Sequence, residues 1–221
     1  MTKILMTLVV AAGFSLATVS AHADVSVSAY KLQLKKQVKE LGKAMVASYG
    51  DAAVVLVADK LELMQEGKLY KKCTRAFPPV GKTKRQKACE DIAVELQVIG
   101  DEASELDAAN WGAVSTAQGA FQTFVDGQES VVRRDFAQGI LNGLLGEGET
   151  LDAEVNTFAE TEQATLIKQC DVEKLRKVFK CTVNGLVDVY RNSYPVMFKD
   201  KSDRMAQGTV ATLAKVEKYK E

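Results

Sequence analysis

The sequence predicts an all-α fold, a helical bundle of about seven or eight helices stabilised by two disulfides, and three observations carry that expectation. Apolar residues recur every three or four positions nearly everywhere, the four cysteines form an even set, and only three prolines interrupt 221 residues. The composition, 47% apolar and 26% charged with 29 bases against 29 acids, is that of an ordered globular chain. Collagen-like, low-complexity and strongly basic nucleic-acid-binding classes are excluded on that ground.

Taken in order, the chain starts with a basic Met1 to Lys3, a mostly apolar stretch over residues 4–17 and a small-x-small end at Ala21-His22-Ala23. These are the three parts of a secretory signal peptide. Residues 1–23 are therefore expected to be a signal peptide cleaved before Asp24, leaving 24–221 as a single all-α domain, periplasmic or secreted. At about 1.5 Å per residue the apolar stretch covers about 21 Å, too little for a hydrocarbon layer of about 30 Å. After it the longest unbroken apolar run, residues 52–58, is shorter still, so no transmembrane segment is expected in the mature chain.

Helical rows follow one another. Val27, Tyr30, Leu34, Val38, Leu41 and Met45 form the first, and Val54, Val57, Leu61 and Met64 the second. Then come Ile92, Leu96, Ile99, Ala103 and Leu106; Val114, Ala117, Phe121 and Phe124; Leu151, Val155 and Phe158; and Val172, Leu175, Phe179, Val183, Leu186 and Tyr190. Gly50-Asp51 closes one helix and caps the next, Thr83 and Ser115 are candidate caps, and Ser193-Tyr194-Pro195 should end a helix. The Val-rich residues 53–58 are the one rival for a strand. They run into a helical pattern without a turn signal, which favours a central helix buried on two sides.

His22 is the single histidine and lies within the expected signal peptide, so the mature chain has no imidazole. That removes Ser-His-Asp and Cys-His catalysis, histidine bases, and histidine-ligated zinc or haem from its repertoire. Neither a cofactor nor a metal is expected. Cys73, Cys89, Cys170 and Cys181 read as two disulfides in an exported chain, and no C-x-x-C pair supports a thiolate zinc site. Of three connectivities, Cys73 with Cys89 closes a short loop through Phe77-Pro78-Pro79-Val80-Gly81, and Cys170 with Cys181 follows by exclusion. The second pair makes a geometric demand. Eleven positions along a straight helix span about 16 Å, whereas bridged Cα atoms lie within about 7 Å, so the chain must bend, with Asp171 as the N-cap at the bend.

Charge falls in blocks. Residues 24–89 carry 14 bases and 6 acids, 90–171 carry 3 and 17, and 172–221 carry 11 and 6. Either the blocks neutralise each other within one bundle, or a face is left open to a partner of opposite charge. The densest stretch, residues 68–89, holds Lys68, Lys71, Lys72, Arg75, Lys82, Lys84, Arg85 and Lys87 with no acid. Around a turn held by a disulfide, these make a preordered anion-binding surface, set against the plainer reading of a solvated loop. Few aromatics accompany them, so nucleic acid is not an expected partner.

Weaker motifs carry less. Val80-Gly81-Lys82-Thr83 imitates the end of a phosphate-binding loop, but Ala76 stands where its first glycine belongs and no strand precedes it. Gln128-Glu129-Ser130 resembles the Glu-Ser pair of lytic transglycosylases, which implies Glu129 as catalytic acid and base on cell-wall glycan. The resemblance covers three residues, and the glycine-leucine-methionine-glutamine segment that should follow is absent. Asp101, Glu102, Glu105 and Asp107, with Glu147, Glu149, Asp152 and Glu154, lack the alternation of a calcium loop and read as solvated helix faces. Gly139 and Gly143 lie beside Ile140, Leu141, Leu144 and Leu145, a spacing that predicts close helix packing inside the bundle.

The functional expectation is a non-enzymatic, exported binding or protein-interaction module. Its contact surface is the basic loop, with Lys82, Lys84, Arg85 and Lys87 as charge donors, and its partner is a protein or an anionic envelope component, with homo-oligomerisation allowed. A carboxylate-dependent glycan hydrolase and an anionic lipid or lipopolysaccharide binder are the alternatives.

Overall fold

Ser26 precedes the first apolar row, and its hydroxyl accepts from the Ala29 N–H at 3.2 Å, capping helix α1, Val27–Ser48. The computed structural model describes residues 25–221 except 51, 76–80 and 173 and the side chain of Lys82. The expected signal peptide and most of the Phe77-Pro78-Pro79 turn lie outside the described residues. α2 spans Ala52–Glu66, α3 Lys68–Thr74, α4 Lys82–Asp126, α5 Val131–Cys170, α6 Leu175–Asp188 and α7 Tyr194–Lys218. No strand occurs among the described residues, and the Val-rich start of α2 is helical because Val54, Val57, Leu61 and Met64 then share one buried face.

The all-α class holds, but the helix count does not. Five long helices replace the expected seven or eight: α1, α2, α4, α5 and a continuous rod of α6 and α7, with the seven-residue α3 between α2 and α4. Two expected breaks fail, and a third falls where expected with a different cap. α4 begins at Lys82 with Gly81 before it, so Thr83 lies inside the first turn. Ser115 is exposed within α4, where no proline interrupts and both flanking rows are anchored in cores that override a weak local preference. Pro195 ends nothing. Residues Val189–Ser193 form a π turn, in which the Tyr194 N–H reaches back to the Val189 carbonyl, and the proline follows directly after it, where the helical ladder is already irregular.

Burial divides into two clusters. One packs Tyr30, Leu34, Val38 and Leu41 of α1 against Phe121 of α4, Leu141 and Leu144 of α5 and Met205 of α7. The other gathers Val57 and Leu61 of α2, Tyr70 and Cys73 of α3, Cys89 and Ile92 of α4 and Val183 of α6. α4 runs through both; at about 1.5 Å per residue it is about 67 Å long. Val27–Glu66 contains a window apolar enough to cross a membrane by length and composition, but it comprises two packed helices and 47% of it is buried in the core.

Both disulfides form in the expected pairs, with Cα separations of 5.0 Å for Cys73–Cys89 and 5.4 Å for Cys170–Cys181. The required bend lies between α5 and α6, but Asp171 is the C-cap of α5, and Lys174 precedes α6 without a side-chain cap. The glycine expectation is corrected. A Cβ on Gly139 or Gly143 would meet open space, because Ile140, Leu141 and Leu144 face the core and turn these glycines outward. The close approach occurs instead at Gly42, where α1 lies against Thr209 of α7 with no room for a Cβ.

Candidate functional site: a basic end and an aromatic cleft

α3 buries Tyr70 and Cys73, so its helical period turns Lys68, Lys71 and Lys72 to solvent, and Arg75 follows at its exposed C-cap. The Cys73–Cys89 bridge ties α3 to α4, whose first turns expose Lys84 and Lys87. Lys87 lies 3.5 Å from Asp91, one turn on, and Arg85 is half-buried with its Nε enclosed and without a hydrogen-bond partner. Lys68, Lys71, Lys72, Arg75 and Lys84 have no ion pair among the described residues. The side chain of Lys82 is not described.

The third charge block reaches the same end. The Tyr70 hydroxyl donates to the Lys180 carbonyl at 3.5 Å and to Asn184 Oδ1 at 3.3 Å, which seats α6 beside α3. Exposed Lys174, Lys177 and Lys180 of α6 therefore extend the basic surface. Neutralisation between blocks is local: Lys60 pairs with Glu102, Lys87 with Asp91, and Lys201 and Arg204 share Glu154. None of these reaches α3 or α6. An apolar groove of about 610 Å³ adjoins this end, between α2 and α4, with Leu63, Val94 and Val98 exposed and Lys68 on its lining.

A second site lies where the two clusters meet. A cleft of about 520 Å³ is lined by aromatic rings of three elements: Tyr49 after α1, Trp111 of α4, and Tyr190, Tyr194 and Phe198 along the α6–α7 rod. Tyr49 and Trp111 meet edge to face at 5.8 Å, and Tyr190 stacks on Tyr194 at 4.8 Å across the π turn. Phe198 continues the ladder 5.7 Å from Tyr194, and Phe158 braces Tyr194 from behind at 5.1 Å.

Two carboxylates share this cleft. The Tyr49 hydroxyl donates to Asp152 Oδ1 at 2.9 Å, and burial holds the Asp152 carboxyl above the usual range despite that bond, with Asp107 and Glu149 adding repulsion. Asp107 is exposed; partial desolvation by its neighbours still shifts its carboxyl upward, while Trp111 one turn on lowers it in part. The Tyr194 phenol is pushed up to about 12, by burial first and then by Tyr190 and Glu162. No lysine or arginine lines the cleft among the described residues.

Other candidates fall elsewhere. Glu129 is exposed in the turn between α4 and α5 and lines none of the described cavities, while the neighbouring Ser130 hydroxyl accepts from the Arg133 N–H at 3.4 Å. The two acidic groups are dispersed: Glu102 pairs with Lys60, Glu154 with Lys201 and Arg204, and Asp107 and Asp152 enter the cleft. No cluster of three or more metal-ligating residues occurs among the described residues. Comparison with protein-family models, with curated proteins and with solved structures gives no match.

Sequence reasoning missed the cleft. Its one available signal was the lone tryptophan, Trp111, four residues after Asp107 on a helix otherwise low in aromatics.

Proposed function

We propose that this chain is an exported binding module that docks an acidic, partly apolar face of a protein partner on its disulfide-tied basic end. The carrying observation is that five cations, Lys68, Lys71, Lys72, Arg75 and Lys84, stand exposed on a crosslinked scaffold with no ion pair among the described residues. Unpaired cations on a fixed frame attract an anionic partner at little ordering cost, and their mutual repulsion is relieved on binding. The adjoining groove, with Leu63, Val94 and Val98 exposed, adds the apolar contact that charge alone does not supply. Two bonded cysteine pairs fit an oxidising compartment, which supports a periplasmic or secreted setting.

The test reverses Lys71, Lys72, Arg75 and Lys84 to glutamate in the mature protein. Crosslinking in the native envelope should lose its partner band in the variant, and the wild-type band should weaken steeply with salt. A band that survives both treatments refutes the basic end as the contact. Co-sedimentation of the wild type with phosphatidylglycerol vesicles, lost in the variant, would assign the same surface to anionic lipid instead.

A further inference from the structure

The cleft between the two cores combines features that the basic end lacks. It is walled by Tyr49, Trp111, Tyr190, Tyr194 and Phe198, and its polar groups include the carboxylates of Asp107 and Asp152, with no lysine or arginine among the described residues that line it. Asp152 is half-buried, Asp107 is exposed beside it, and neither has an ion pair among the described residues. A carboxylate withdrawn from water without a cation is disfavoured until a cation arrives. Aromatic faces attract the same class of ligand, because their quadrupoles present negative charge above the ring.

The neighbouring cations are engaged elsewhere. Lys201 and Arg204 on α7 share Glu154, which lies two residues after Asp152 and is not among the lining residues, and Lys60 pairs with Glu102. The volume, about 520 Å³, falls within the range of small-molecule sites. The π turn is the other signature, since it carries Tyr190 into a stack with Tyr194 on the same wall, and such turns concentrate at functional sites.

We infer that this cleft binds a small organic cation, an amine or quaternary ammonium on an apolar body, with the charged head at Asp107 and Asp152 and the body against the rings. A sugar would find rings and acceptors here too, but a half-buried Asp152 without an ion pair, set among rings, favours a positive charge over a neutral hydroxyl. The site is separate from the basic end, which repels the same ligand.

Trp111 is the only tryptophan of the chain, so its fluorescence reports on the cleft alone. The experiment titrates the mature protein with benzyltrimethylammonium and, separately, with its neutral isostere neopentylbenzene. Saturable quenching is expected for the cation, with the isostere at least about tenfold weaker. The Asp107→Asn, Asp152→Asn double variant, shown folded by circular dichroism, should lose about tenfold in affinity for the cation and little for the isostere. Calorimetry on Trp111→Phe, which keeps a ring, should still detect the cation and so separates binding from the fluorescence readout. Equal affinities for cation and isostere, an unchanged double variant, or no saturable binding overturns the inference.

Discussion

The two cores of this protein are made of the same material and held together by different means. The cluster around Tyr30 and Phe121 draws on four long helices, buries large aromatic and aliphatic side chains, and contains no disulfide. Its edges are stitched by polar contacts: the Tyr30 hydroxyl donates to the Arg133 carbonyl at 2.7 Å, and Arg133 donates to Val25 and grips Glu221, bringing both ends of the described chain together. The cluster around Cys73 and Ile92 is smaller, rests partly on α3, and lies under exposed cations of which Lys68, Lys71, Lys72, Arg75 and Lys84 have no ion pair among the described residues. A helix of seven residues does not stand alone in water, and clustered like charges strain whatever holds them. The Cys73–Cys89 crosslink lies in the smaller cluster, beneath the exposed cations of α3.

That contrast can be broken or sharpened by experiment. The largest effect belongs to Phe121→Ala, which empties a fully buried site in the uncrosslinked core and should cost about 3–5 kcal/mol in urea unfolding. A loss below about 1 kcal/mol would show that this core does not depend on dense packing.

Next is the Cys73→Ser, Cys89→Ser pair. Opening that loop of 16 residues should cost about 3 kcal/mol. Hydrogen exchange should accelerate first in α3 and the start of α4, leaving α1 and α7 protected. Uniform acceleration would mean that the two cores unfold as one unit.

Gly42→Ala drives a methyl into Thr209 and should destabilise the α1–α7 contact by about 1–3 kcal/mol in thermal melts, while Gly139→Ala, facing open space, should be neutral or stabilising. The opposite order would place the close approach elsewhere.

The smallest effect is at Asp152. Because folding raises its pKa, the folded state binds a proton more tightly, and the wild type loses stability as pH rises through that raised value. Asp152→Asn should therefore melt slightly higher at neutral pH, by less than about 1 kcal/mol, with the difference vanishing below the ordinary carboxylate range. An unchanged pH dependence would remove Asp152 as a strained group.

Much of the fold was legible in the chain. The row Tyr30, Leu34, Val38, Leu41 and Met45 is buried as its spacing implies, and the cysteine pairing followed from loop length and exclusion. Ser115 and Pro195 misled because each is a local signal, whereas the continuity of α4 and of the α6–α7 rod is settled by what packs against both halves. The basic loop was readable as a charge run, but the joining of Lys180 to it through Tyr70 was not, since residues 70 and 180 are far apart along the chain.

Periodicity and cysteine parity depend only on which residues occur and in what order, and they carried the helical class and the crosslinks. The cleft depends on Tyr49, Asp107, Trp111, Asp152 and Tyr190, which come from separate elements and carry no shared spacing. Only packing brought them together: a π turn in one rod and the meeting of two cores set which rings face which carboxylates, and no local rule encodes that.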